Sequence, residues 1–267
     1  MSLPLVLTRP RFRSSFAPAL SGGERTRSFF LAALLLVPFL AAAQEPAAVP
    51  VSAEPHHHLL LENAYVRAYY VDVPPHGSTL QHRHDLPYFA VLLSGGSAPA
   101  AAPVASTPAA PAEAPRAIFS PGGIAHTVPN PADTPFRNVT VELLHPQTAA
   151  RNRCQEVLPN QPREQCDRTA SAKLPPPLHY AVFETSEILV EYWDLAANFT
   201  TPSWDDRFDM LLVDLDGPSV SAAGATPRAP MQGGVLWLAA GSKPVFKTPA
   251  DRGGHFFAIT FKDSAAR

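Results

Sequence analysis

Apolar positions along this chain fall in short runs with a two-residue alternation. They predict β-strands near 64–73, 87–93, 117–120, 137–144, 187–194, 209–215, 235–238 and 256–262. "AYVRAYYVDV" and "ILVEYWDL" are rich in β-branched and aromatic residues, as half-buried strands are. No stretch of ordinary helix length carries a 3.6-residue apolar stripe. Proline is abundant, at 31 residues against 14 glycines, which favours short strands and loops over helices. Short, regularly spaced strands between Pro/Gly turns indicate an all-β fold of sandwich or barrel type.

The pattern repeats. "ENAYVRAYYVDV" begins at Glu62 and "ETSEILVEYWDL" at Glu184, and each places an aspartate ten residues on, Asp72 and Asp194. The offset is 122, and it also carries Gly95, which closes one apolar run, onto Gly217, which closes another. Farther on, the shared Pro-Ala-Asp at Pro131 and Pro249 has an offset of 118. The Ala/Pro/Ser segment 97–115 absorbs the difference, since such a composition forms surface loop and not core. The chain therefore divides into a lead-in at 44–57, one β-unit at 58–147, a connection at 148–178 and a second β-unit at 179–265.

Ahead of these units, Arg25 and Arg27 precede the apolar "SFFLAALLLVPFLAAA", and Ala41-Ala42-Ala43 before Gln44 fits a small-residue cleavage site. Residues 1–43 read as a signal peptide for export to the periplasm or the extracellular space. A membrane anchor is the competing reading, although the stretch is short for a span. Losing residues 1–43 removes five arginines and one glutamate and leaves a net charge of −6, from −2 for the whole chain. Such a balance gives no nucleic-acid footprint. Two cysteines, Cys154 and Cys166, stand in the connection. In an exported protein an even count predicts a disulfide, with two free thiols as the alternative.

Candidate chemistry lies in the first unit. In "GSTLQHRHDLPYFAVLLSGG", His82 and His84 are two apart, on one face of a strand. "IFSPGGIAHTVPN" then turns at Pro121-Gly122-Gly123 and presents His126 on the returning segment. These residues resemble the cupin superfamily, whose first motif runs Gly, His-X-His, Glu, Gly and whose second runs Gly, Pro-X-Gly, His, Asn. Gly77, His82, His84 and Gly95 match the first motif, and Pro121, Gly123, His126 and Asn130 match the second. Four residues separate Gly77 from His82 where the family has five, and Pro115 stands where the second motif opens on glycine. The glutamate position holds Tyr88, with Phe89 at the alternative spacing, so no carboxylate stands there.

The resemblance implies two cupin-type antiparallel β-barrels in tandem, a bicupin. It makes His82, His84 and His126 ligands of one divalent transition metal (Zn, Mn, Fe, Cu or Ni), with Tyr88 in the pocket. Three neutral imidazoles suit such ions and leave positions open for water or substrate. A relic pocket of hydrogen-bonded histidines is the competing reading. In the second copy His82, His84 and Tyr88 map to Trp204, Asp206 and Met210, and Pro121, Gly123 and His126 map to Ala239, Gly241 and Pro244. That barrel is expected to bind no metal. The tract His56-His57-His58 reads as a solvated run, and Asp85, next to His84, points to the opposite face; no general acid or base stands out beside the site. Trp193, Trp204 and Trp237 are expected in packing.

Two function classes follow. One is a metalloenzyme acting on a small organic molecule, oxygenase-like or isomerase/decarboxylase-like, with three-histidine dioxygenases as a model. The other is a non-catalytic small-ligand-binding or structural protein. Catalytic residues stay unassigned. Expected partners are a small-molecule ligand and, as an open alternative, a second copy in a homodimer. No nucleic acid and no stable membrane insertion after signal cleavage are expected.

Overall fold

The computed structural model describes residues 47–94, 117–164, 166, 178–201, 207–217, 219–221 and 232–262. The signal segment 1–43, Gly95, the loop 97–115, Trp204 and Asp206 lie outside these. The described residues belong to one compact unit, Glu45–Arg267. Their elements are strands and a single 3-10 turn, Val51–Ala53, so the fold is all-β.

The first half contains β1 (Val49–Pro50), β2 (His57–Glu62), β3 (Val66–Val73), β4 (His82–His84), β5 (Tyr88–Ser94), β6 (Ala117–Ser120), β7 (Ile124–His126) and β8 (Phe136–Leu143). They form a five-stranded sheet ordered β2-β3-β8-β5-β6 and a three-stranded sheet ordered β1-β4-β7. The second half contains β9 (Arg151–Asn152), β10 (Leu178–Glu184), β11 (Ile188–Leu195), β12 (Asp209–Asp214), β13 (Ser219–Ser221), β14 (Val235–Leu238), β15 (Val245–Lys247) and β16 (Gly254–Phe261). Its sheets run β14-β12-β16-β11-β10-β9 and β13-β15.

Hydrogen bonding repeats with the same offsets that the sequence shows. Thr79 N–H donates to Val128 O at 3.1 Å and Val128 N–H to Thr79 Oγ1 at 2.8 Å. At the matching positions Thr201 N–H donates to Phe246 O and Phe246 N–H to Thr201 Oγ1, both at 3.0 Å. The β2–β3 ladder slips between Leu59 and Leu61, and the β10–β11 ladder slips between Ala181 and Phe183. His76 and Asn198, also 122 apart, both adopt φ 55°. A side chain that satisfies loop backbone is kept even where its identity changes: Asn130 becomes Thr248, and Asn63 becomes Thr185.

Alternation along the long strands gives each large sheet two faces. One face of each enters a shared core, in which Phe89, Val91, Val139 and Val141 meet Phe183, Val190, Phe257 and Ile259. Phe119 stacks on Phe183 at 4.6 Å, and Trp237 stacks on Tyr65 at 5.6 Å across the two halves. The other faces line two separate interiors, and these differ in kind. In the second half the interior is filled by Leu195, Met210, Leu212, Phe246 and Phe256. In the first half only Val71, Val73, Val128 and Phe136 form an apolar cluster. The rest is polar and buried: His57, His82, His84, Asn138, Thr140 and Glu142.

Cys154 and Cys166 are disulfide-bonded, within the connection and apart from the histidines. Part of the expected lead-in is structured. Residues 49–57 supply β1, which pairs in parallel with β4, then the 3-10 turn and the first residue of β2. Among the described residues no helix is long and apolar enough to cross a membrane.

Candidate metal centre

Strand β4 places His82 and His84 on one face, fully buried at 0% and 2% exposure, while Arg83 between them turns outward to Asp85 at 2.6 Å. Two glycines place the third histidine. Gly122 and Gly123 have φ of 81° and 73°, which a residue with a Cβ adopts at a penalty, and a Cβ on Gly122 would lie 2.3 Å from Leu86 O. Gly123 N–H then donates to His84 O at 2.7 Å, which starts the β4–β7 ladder with His126 opposite His82. Ring centroids of His126 lie 4.6 Å from His82 and 5.4 Å from His84, and the latter two are 5.1 Å apart. Three buried ring nitrogens, His82 Nε2, His84 Nδ1 and His126 Nε2, have no hydrogen-bond partner.

A fourth imidazole joins them. His57, at the start of β2, has its ring centroid 4.7 Å from His82 and 5.9 Å from His84. Ligand atoms of His57, His82 and His84 all lie within 4.8 Å of one another. The expectation of a solvated His56-His57-His58 run is thus corrected. On a strand the middle residue faces opposite to its neighbours. His58 is exposed, His56 bonds Asp72 O through Nδ1 at 2.9 Å, and His57 turns into the barrel. The one signal in the sequence was Glu54, three residues earlier, whose carboxylate receives His57 Nδ1 at 2.6 Å.

Backbone and carboxylate groups orient these rings. Glu54 Oε2 holds His57 Nδ1, and Leu80 O holds His82 Nδ1 at 2.9 Å, which leaves Nε2 of each ring directed elsewhere. Glu142, on β8 and 2% exposed, faces His84 Nδ1 at 3.5 Å. The expectation that no acid or base stands at the site is corrected by these two buried carboxylates.

Burial lowers the imidazole pKa of His57 to about 4 and of His126 to about 4, and lowers that of His82. Desolvation penalises the cation, and the neighbouring imidazoles add repulsion. These three rings are therefore neutral at pH 7, the form that binds a metal ion without first losing a proton. For Glu54, burial works upward, but hydrogen bonds from His57, Leu80 and His56 outweigh it and hold the carboxyl below its ordinary range. Tyr88 lies inside, its ring 4.3 Å from His84, and burial raises its phenol pKa against the effect of its hydrogen bond with Ser120. The donor set fits a divalent transition ion: neutral nitrogens converge, several unpartnered, in a buried pocket. In the second half Met210 and Pro244 stand, buried, at the places of Tyr88 and His126.

No protein-family model matches the chain, and no curated protein matches it. Among solved structures, AerE from Microcystis aeruginosa is similar over 78% of this chain and 98% of its own, at 11% identity and a TM-score of 0.50. A cupin 2 conserved barrel domain protein from Leptotrichia buccalis is similar over 77% and 88%, at 8% identity and a TM-score of 0.46. The fold itself, all-β with two large sheets that repeat one strand pattern, is what the likeness to AerE concerns. A mutant of salicylate 1,2-dioxygenase from Pseudoaminobacter salicylatoxidans, in complex with gentisate, is similar over 81% of this chain and 77% of its own (13% identity, TM-score 0.48). At these identities the likeness concerns architecture, and the chemistry has to be argued from the histidines themselves.

Proposed function

We propose that this cupin-fold chain is an exported bicupin that holds one divalent transition metal in its N-terminal barrel and acts there on a small organic molecule. His82, His84 and His126 hold the ion, with His57 as a fourth imidazole. The observation that carries the reading is the set of three buried ring nitrogens without a hydrogen-bond partner, one on each motif histidine. Leaving one such group unpaired costs about 1–3 kcal/mol, and three together are explained by a common electrophile.

Bound there, the ion supplies Lewis acidity or, if redox-active, dioxygen activation. The chain supplies the rest. Tyr88 Oη, linked to Ser120, is placed to hydrogen-bond a substrate oxygen next to His84. Val71, Val128, Phe136 and the partly buried Leu92 exclude water from the floor of the barrel. The filled second barrel stabilises the first through the shared core and holds no ligand set among its described residues. Export rests on the basic-apolar N-terminus, and the Cys154–Cys166 bond suits an oxidising compartment.

Elemental analysis of natively purified protein tests the proposal. One transition-metal ion per chain is expected. His126→Ala should lose most of the metal and stay folded, while Pro244→Ala, at the matching place in the second barrel, should keep it. Equal metal in all three proteins would return the histidines to a relic pocket. Full metal occupancy without dioxygen uptake or turnover across aromatic and carboxylic substrates would favour the binding-protein alternative.

A further inference from the structure

We propose that Glu54 and Glu142 are the carboxylates of this metal site, Glu54 standing behind His57 and Glu142 beside the unpartnered Nδ1 of His84, and that they supply negative charge that an all-imidazole set lacks. The inference rests on the metal reading above. The cupin pattern places a carboxylate where this chain has Tyr88. Strand β8 restores one a strand away, because Glu142 is the direct register partner of Tyr88 across the β5–β8 ladder. Both residues face the barrel interior, and Glu142 Oε1 lies 3.5 Å from His84 Nδ1. Glu54 reaches the same interior from the 3-10 turn. Its Oε2 takes His57 Nδ1 at 2.6 Å and His56 N–H at 2.8 Å, and its Oε1 takes Leu80 N–H at 3.1 Å. Neither carboxylate belongs to the close donor set, which is His57, His82 and His84. Glu54 is one step out, where a carboxylate fixes ring orientation and strengthens the imidazole as a donor, while Glu142 sets its charge beside the metal-facing Nδ1 of His84.

Charge balance gives the second argument. Both glutamates are 2% exposed. A buried carboxylate needs hydrogen bonds and an opposite charge. The side chain that Glu54 faces is the imidazole of His57, itself turned into the site. Arg67, the register partner of Glu142 on β3, gives its Nε–H to Glu62 at 2.8 Å. A divalent cation among the imidazoles would set a positive charge against both buried carboxyl groups. The duplicated barrel provides the internal control. At the place of Glu142 it has Thr260, at Thr140 it has Ala258 and at Asn138 it has Phe256. The carboxylate occurs in the half that carries the histidines, and the half without them has dispensed with it.

The test titrates Zn²⁺ into metal-stripped full-length protein against a competing chelator. Wild type, Glu54→Gln, Glu142→Gln and the double variant are compared, and the melting temperature of each metal-free protein is recorded alongside. Glutamine keeps shape and one acceptor oxygen while removing the charge. Each single variant should bind Zn²⁺ about 10–100-fold more weakly, and the double variant more weakly still; the metal-free melting temperature should be equal to wild type or higher for Glu142→Gln and lower for Glu54→Gln, whose amide nitrogen cannot accept the N–H groups that both carboxylate oxygens hold. Affinities within about threefold of wild type would overturn the inference. So would, for Glu142→Gln, a loss of affinity matched by a loss of metal-free stability, since packing alone would then explain it. If Glu142→Gln does not fold, Glu142→Thr, the residue of the second barrel, takes its place under the same criteria. Absence of Zn²⁺ uptake by wild type would instead remove the underlying metal reading, and this inference with it.

Discussion

Replacing Asn130 with alanine isolates how the loops of the first barrel are held in register with the histidine strands. Asn130 is 1% exposed and follows β7. Its Nδ2 donates to Val73 O at 3.0 Å, Pro74 O at 3.0 Å and Thr134 O at 2.9 Å, and its Oδ1 accepts Ala132 N–H at 3.2 Å. An amide nitrogen has two hydrogens, so the three donated contacts count as about two full hydrogen bonds, and the accepted one makes a third. Net contributions near 1 kcal/mol each give a loss of about 3 kcal/mol for Asn130→Ala, since the alanine leaves carbonyls buried and unpaired. For a unit of this size that lowers the melting temperature by about 6–12 °C. Thr248, its counterpart, makes fewer contacts: Oγ1 donates to Ala196 O at 2.6 Å and accepts Phe199 N–H at 2.7 Å. Thr248→Ala should therefore lose about 2 kcal/mol. Urea unfolding followed by tryptophan fluorescence measures both. A loss under about 1 kcal/mol for Asn130→Ala, or a larger loss for Thr248→Ala, would refute the hydrogen-bond accounting.

Acidification should destabilise the metal-free protein. Folded His57 and His126 sit at about 4, against an ordinary 6.5, so between those values the unfolded chain takes up protons that the folded chain refuses. Their contribution is complete above pH 6.5 and is lost as pH falls toward 4; calorimetry across this window should show a steep decline that flattens in His126→Ala, and parallel curves would contradict it. Removing the disulfide by Cys154→Ala with Cys166→Ala should lower stability by about 3 kcal/mol in the loop-closure picture. A reductant should lower wild type similarly and leave the double variant unmoved, and two titratable thiols in the native protein would oppose the pairing.

Most long strands were legible in the sequence and the shortest were not, for a physical reason, although the seven-residue β10 was missed and the four-residue β6 and β14 were found. Strands β3, β5, β8, β11, β12 and β16 contain several turns of alternation, and the expected segments overlap all six. Strands β1, β4 and β7 have two or three residues each, too few to show a period. Strand β2, "HHLLLE", breaks its own alternation with the register slip between Leu59 and Leu61. The motif histidines were visible because a fixed spacing and a Pro-Gly turn marked them. His57 was hidden by its neighbours, since three consecutive histidines look solvated until the strand turns the middle one inward. Glu142 was hidden differently. In "NVTVEL" the apolar residues Val139, Val141 and Leu143 face the shared core, so Asn138, Thr140 and Glu142 read as a water-facing side. Alternation separates two faces of a strand, but it does not tell a solvent face from the polar lining of a pocket.

The central claim is that one barrel binds a metal and its duplicate does not. Anomalous X-ray diffraction from crystals of natively purified protein, collected above and below the absorption edge of the element found, tests it most directly. The account predicts one strong peak per chain, within bonding distance of ring nitrogens of His82 and His84 and beside His57 and His126, with none among Met210, Phe246 and Phe256. An empty histidine pocket, or a peak inside the second barrel, would contradict it.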